Sequence, residues 1–177
     1  MKVVSEEQTV RSPPDDISAE TPDWERERPR ALWDPSRRLL GAMRRYQRWR
    51  GNHHLLARLV RGASVLEHRF WSVVTASDIP IDCKIGGGLL LTHPTGVVIH
   101  PHAEIGPNCL ILQQVTLVAG VRLEGHVDVG AGAKIVRPVH VGKHANIGAN
   151  AVVLEDVPEG ATAVGIPARI ITPKGPA

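Results

Sequence analysis

An aliphatic residue at every sixth position, beside a near absence of aromatics, predicts a mainly β fold: a left-handed parallel β-helix of hexapeptide repeats preceded by a small α-helical segment. The recurring positions are Ile99, Ile105, Ile111, Leu117, Leu123, Val129, Ile135, Val141, Ile147 and Val153. Two residues before each, where the repeat is complete, stands a small or β-branched side chain, as at Ala103, Cys109, Val115 and Ala133. Six residues turn an α-helix by about 600°, which scatters such positions over different faces. Short strands joined by corners keep them on one inner wall, and three six-residue units close one triangular coil. Aromatics are only 3% of the chain, so this core is built from small and branched side chains.

At 177 residues the chain supports one domain with appendages. Residues 1–30 are rich in Pro, Ser and charged residues without apolar periodicity, and are expected to form a disordered arm carrying no site. Residues 31–76 are expected to form a helical cap. Its first helix lies within 33–51, with Asp34 as N-cap, Pro35 at the first helical position and Gly51 at the end. Leu39, Leu40, Met43, Tyr46 and Gln47 mark its inner face. A second helix within 53–74 carries a stripe of Leu55, Leu56, Leu59, Val60, Leu66, Phe70 and Val74. The β-helix is assigned to 77–171, with a tail at 172–177.

The hexad frame runs back through Leu91, Ile85 and Ile79, but Leu91 and Ile99 are eight residues apart. A stacked coil admits two extra residues only at a corner. The segment "THPTG" is therefore expected to bulge outward and to display His93 outside the wall.

The net charge is +3, with twelve arginines between residues 26 and 69. No nucleic-acid motif accompanies them, so they read as a solvated helix face or a lid near an anionic ligand. No membrane segment or signal-peptide core is evident, and a cytoplasmic protein is expected. Cys83 and Cys109 belong to no metal spacing and read as core residues. His126 and His144 are eighteen residues apart and should stack on one corner, with His100 and His102 nearby in sequence. Zinc needs at least three converging ligands, so no metal is expected.

The strings "GGGLLLTHPTGVVIH", "LILQQVTL", "VGAGAKI" and "IGANAVVLEDVPEGATAVGIPARI" resemble the serine O-acetyltransferases of the hexapeptide acyltransferase superfamily, over about residues 77–171. The resemblance implies acetyl-CoA as co-substrate, no permanently bound cofactor, and a catalytic pair of His93 as general base and Asp78 as the carboxylate that orients it. It places the acyl carrier along Ala119, Gly120, Gly130, Ala131 and Ala149, and the acceptor near Asp34 and Thr92. The chemistry agrees: a serine-like hydroxyl is a poor nucleophile at neutral pH, and an imidazole held by a carboxylate is suited to take its proton.

The resemblance also has gaps. The family's long loop after the Thr-Leu strand, with its Arg-His pair, is missing because "QVTLVAGVRLEG" keeps the six-residue register. Thr92 replaces the family's aspartate before the base. The ending "TPKGPA" lacks the C-terminal isoleucine that docks into a sulfhydrylase, so that partnership is not expected. A helical segment shorter than the family's favours a homotrimer with sites between subunits. The competing reading is a catalytically impaired trimeric scaffold or partner-binding protein.

Overall fold

The computed structural model describes residues 17–172. Two-residue strands, from Lys84–Ile85 to Val152–Val153, stack into three walls of a parallel β-helix. In one wall Lys84, Glu104, Arg122 and His140 form a column, each paired in parallel with the next. In another, Thr162–Val164 pairs in parallel with the strand Asn146–Ile147, and Arg169–Ile171 then folds back antiparallel on Thr162–Val164.

All the hexad positions from Ile99 to Val153 are buried, as are the small or branched residues two places before them. Burial of each such aliphatic side chain contributes roughly 1.5–3 kcal/mol, set against the entropy of ordering the chain. Strands after the bulge pair eighteen residues apart, Val98 with Thr116, whereas Leu90 pairs with Leu110 twenty residues on. The two extra residues are accommodated at the corner between those strands, where His93 is exposed with φ 51°. Both cysteines are buried, and burial pushes each thiol up to about 12.

Helix α1 (Pro35–Arg48) turns Leu39, Leu40 and Met43 into the core, and Gln47 Nε2 donates to the carbonyls of Ile81 and Cys83. Helix α2 (Leu55–Thr75) departs from the sequence expectation. Its buried face is Ala57, Ser64, His68, Trp71 and Thr75, while Leu55, Leu56, Leu59, Leu66, Phe70 and Val74 are exposed. Periodicity finds an apolar stripe but not what it faces; here Trp71 and a set of small and polar residues line the inner side of the helix.

His68 carries a pH consequence. Its Nε2 lies 2.9 Å from the Ile79 carbonyl, which can only accept, so that nitrogen bears the proton. Burial holds its pKa below the ordinary 6.5, against the pull of the carbonyl. The unfolded chain therefore binds a proton that the folded chain resists, and stability falls as pH drops below about 6.5. In urea unfolding across that range, His68→Gln should flatten the slope; an unchanged slope would exclude His68 as its cause.

The arm requires a second correction. Residues 1–16 lie outside the described residues, but residues 17–30 are not free. Asn108, only 1% exposed, donates from Nδ2 to the carbonyls of Ser18 and Thr21 and accepts from the Asp23 amide. A short 3-10 turn, Trp24–Glu27, follows. Glu27 then meets Arg44 of α1 in a two-pronged ion pair, at 2.8 and 3.0 Å, and also accepts from the Leu89 amide. Gly125 makes room for the strap, since a Cβ there would run into the Ala19 carbonyl. These contacts are polar and specific to single residues, so no periodicity announces them.

Candidate active site

The bulge after the strand Leu90–Leu91 and the first turn of α1 enclose a cleft of about 490 Å³. Thr92 and His93 form one side, Asp34 and Arg37 the other, and Arg26 and Arg30 reach it from the strap. Asp34 begins α1 but its side chain does not cap it. Instead its carboxylate accepts from the Arg30 amide at 3.1 Å and from Arg37 Nη1 at 3.2 Å. Burial raises this carboxyl's pKa, but those bonds and the two arginines outweigh it and hold Asp34 below its usual value. The N-cap expected from the sequence is thus a cleft carboxylate, because two donors outcompete the helix amides.

Arg37 is further fixed by its Nε bond to the Arg26 carbonyl, and Arg26 donates from Nη1 to the Asn108 carbonyl at 2.8 Å. Burial lowers Arg26, while Asp128 and Asp23 favour its charge. With Arg26, Arg30 and Arg37 against Asp34, the cleft has an excess of positive charge. It suits a small ligand carrying a carboxylate beside a group that an aspartate can hold. Arg26 and Arg30 were invisible as site residues in the sequence, since long-range bonds to Asn108, Arg44 and Leu89 bring their segment here.

Asp78 lies one coil above the segment that follows His93, bridged to Val98, with its amide donating to the Val97 carbonyl and its own carbonyl accepting from the Ile99 amide. Both side chains are exposed, and among the described residues no hydrogen bond joins them. The structure therefore places the two on neighbouring coils without closing the pair.

The expected carrier positions fall on two corners. Thr95, Gln113 and Ala131 form one ladder, each carbonyl accepting from an amide of the next coil, from Gln114, Gly132 and Asn150. Ala149 lies beside Asn150 at the foot of this ladder, below the bulge. Gly130 adjoins it, and a Cβ there would lie 2.6 Å from the Ala149 amide. Ala119 and Gly120 occupy the next corner, where the Gly120 amide donates to the His102 carbonyl. One chain does not bring the two sets together. The expected loss of the long loop is visible here too, for the strand Thr116–Leu117 leads to Arg122–Leu123 one hexad on.

His126 and His144 stack on one corner as expected, with their Nδ1 atoms 2.8 Å apart. His100 and His102 stand edge to face at another. Among the described residues no three metal-ligating side chains cluster.

No protein-family model matches the chain. Serine acetyltransferase of Haemophilus influenzae is 38% identical over 149 residues, which span 80% of this chain and 56% of that protein. The Mycobacterium tuberculosis serine acetyltransferase is 39% identical over 132 residues, 66% of this chain and 58% of its own length. A soybean serine acetyltransferase structure complexed with serine superimposes with a TM-score of 0.65 at 36% identity, covering 79% of this chain and 58% of that one.

The chain belongs to the serine acetyltransferase family. It spans little more than half the length of these family members. A further serine acetyltransferase structure, a complex with CoA, matches with the same TM-score of 0.65 and 36% identity, over 79% of this chain and 58% of that one. Among the described residues no helix is long and apolar enough to cross a membrane.

Proposed function

We propose that this serine acetyltransferase family member is an acetyl-CoA-dependent O-acetyltransferase acting in the cytoplasm on L-serine or a serine-like alcohol. The observation that carries this reading is the position of His93. It is exposed on the rim of a cleft that also holds Asp34 and the arginines, and it stands over the corner ladder of Ala131 and Ala149. His93 takes the proton of the acceptor hydroxyl as its oxygen attacks the thioester carbonyl. Backbone amides along the wall are the candidate stabilisers of the tetrahedral oxyanion. Collapse breaks the carbon–sulfur bond, and the imidazolium returns its proton to the leaving thiolate, giving the acetyl ester and free CoA. Asp78 is a positioning residue that steadies the imidazolium once acetyl-CoA and acceptor are bound.

Arg26 and Arg30 stand in for the family's missing loop arginine as partners of the acceptor carboxylate, with Asp34 facing its amino group. The two corners of carrier positions favour a homotrimer. Ala131 and Ala149 of one subunit and the Ala119–Gly120 corner of a neighbour would flank one acetyl-CoA. Nothing here requires a bound metal or a sulfhydrylase partner.

The test follows free thiol with acetyl-CoA and L-serine as substrates. Serine-dependent release is expected, and Arg26→Gln should raise the KM for serine about tenfold while leaving KM for acetyl-CoA in place. Folded protein that releases no thiol with any hydroxyl acceptor would replace this reading with the scaffold.

A further inference from the structure

Charge in the cleft beside His93 does not balance against serine. Arg37 pairs with Asp34 at 3.2 Å, both side chains being nearly buried, and the two cancel. Asp34 is the only carboxylate among the described residues that line the cleft, so Arg26 and Arg30 remain in surplus. The half-buried Arg26 guanidinium gives one hydrogen bond, to the Asn108 carbonyl, and forms no ion pair among the described residues. Asp23 and Asp128 favour its charge only from outside the cleft lining. Arg30 holds Asp34 with its backbone amide. Its side chain, 78% exposed, keeps Nε 3.6 Å from a carboxylate oxygen that already accepts from Arg37.

The first turn of α1 adds to this surplus. Pro35, Ser36 and Arg37 line the cleft, and the Asp34 side chain does not cap the helix, so the positive end of its dipole is left to the cleft. L-serine is a zwitterion and brings no net charge. Its carboxylate meets one arginine and its ammonium group meets Asp34, which leaves the surplus as it was. A cation partly withdrawn from water needs a counter-charge. At about 490 Å³ the cleft has room for a further acidic group beside a serine-sized body.

We infer that the cleft selects a hydroxy acid with two carboxylates: a serine-like acceptor bearing a second acidic group on its carbinol carbon. Arg26 takes the first carboxylate and Arg30 the second, Asp34 keeps the ammonium group, and the hydroxyl stays at His93. The transfer itself is unchanged. The acetyl group leaves sulfur for the hydroxyl oxygen, and the hydroxyl proton passes through His93 to the thiolate. Arg30 is then the residue that sets specificity. A guanidinium fork matches a carboxylate with two parallel bonds, which an uncharged group on the same carbon cannot use. The inference rests on the acetyltransferase reading for the hydroxyl and on the charge of the cleft for the second acid, so the two fail separately.

Thiol release is compared with L-serine, L-threonine and threo-3-hydroxy-L-aspartate as acceptors. Threonine carries a methyl group where hydroxyaspartate carries its second carboxylate, which controls for size. The kcat/KM for hydroxyaspartate should exceed that for threonine by about tenfold, and rising salt should narrow the gap. Arg30→Gln keeps the backbone bond to Asp34 and should lower kcat/KM for hydroxyaspartate by about tenfold more than for serine. Equal values for hydroxyaspartate and threonine, or a gap that Arg30→Gln does not touch, would overturn the inference and leave the acetyltransferase standing. If no acceptor releases thiol, the acetyltransferase reading falls, and calorimetric titration of the folded protein with succinate and with propionate decides the inference alone. The dianion should bind about tenfold tighter; equal binding would overturn it.

Discussion

Replacing His93 by asparagine should lower serine-dependent CoA release by about 10²–10⁴-fold, the usual worth of a positioned base. Asparagine is the informative substitution because His93 sits at φ 51°, a left-handed conformation that asparagine tolerates far better than alanine. The bulge then keeps its shape while the site loses the one imidazole among the described residues that line the cleft. Because the side chain is exposed, unfolding temperature and assembly mass should not move. Asp78→Asn separates positioning from structure. It should reduce kcat by less than the histidine change while leaving the KM for serine and the unfolding temperature in place. A merely structural Asp78 would instead lower the unfolding temperature when replaced. Full activity in a folded His93→Asn protein would remove the general base from the mechanism.

The sequence disclosed the parts of this molecule that repeat. Each hexad states the same rule again, so Ile99 to Val153 could be assigned to the wall without knowing any contact, and the break between Leu91 and Ile99 exposed the bulge. His93 was legible for that reason: it is the one ionisable side chain of the bulge "THPTG". The strap was not legible, because its attachment is a handful of polar bonds to Asn108 and Arg44 over long sequence separations. Asp34 was read as a cap because the residue type and the following proline fit one; only the folded chain shows that Arg30 and Arg37 claim its carboxylate. On α2 the period was right and the direction wrong. A 3.6-residue period carries no information about which neighbour the stripe meets, and Ala57 and Ser64 allow closer approach inside than leucine would.

The largest stability effect is expected where strap, α1 and the first coil meet. Glu27, 7% exposed, accepts both prongs of Arg44 and the Leu89 amide, and Arg44 also donates to the carbonyls of Ile85 and Gly86. The Arg44 guanidinium lies 5.3 Å from the centre of the Trp24 ring, which further screens it from water. Removing one partner of such a pair leaves an uncompensated charge in a dry site, so Glu27→Ala should cost about 3–5 kcal/mol, and Arg44→Met a similar amount. The singles should not add. With Glu27→Ala and Arg44→Met together, no charge is stranded, and the loss should fall short of the summed singles by about 0.5–3 kcal/mol. It should not vanish, because the Ile85 and Gly86 carbonyls lose their donor in the double variant as well. Urea unfolding measures these losses, and limited proteolysis across residues 17–33 reports whether the strap has peeled away. Strict additivity, or single losses below about 1 kcal/mol, would mean that this pair is hydrated and does not fasten the strap. If it does fasten it, Glu27→Ala should also raise the KM for serine, because Arg26 is carried by the same segment and enters the cleft only while that segment is held.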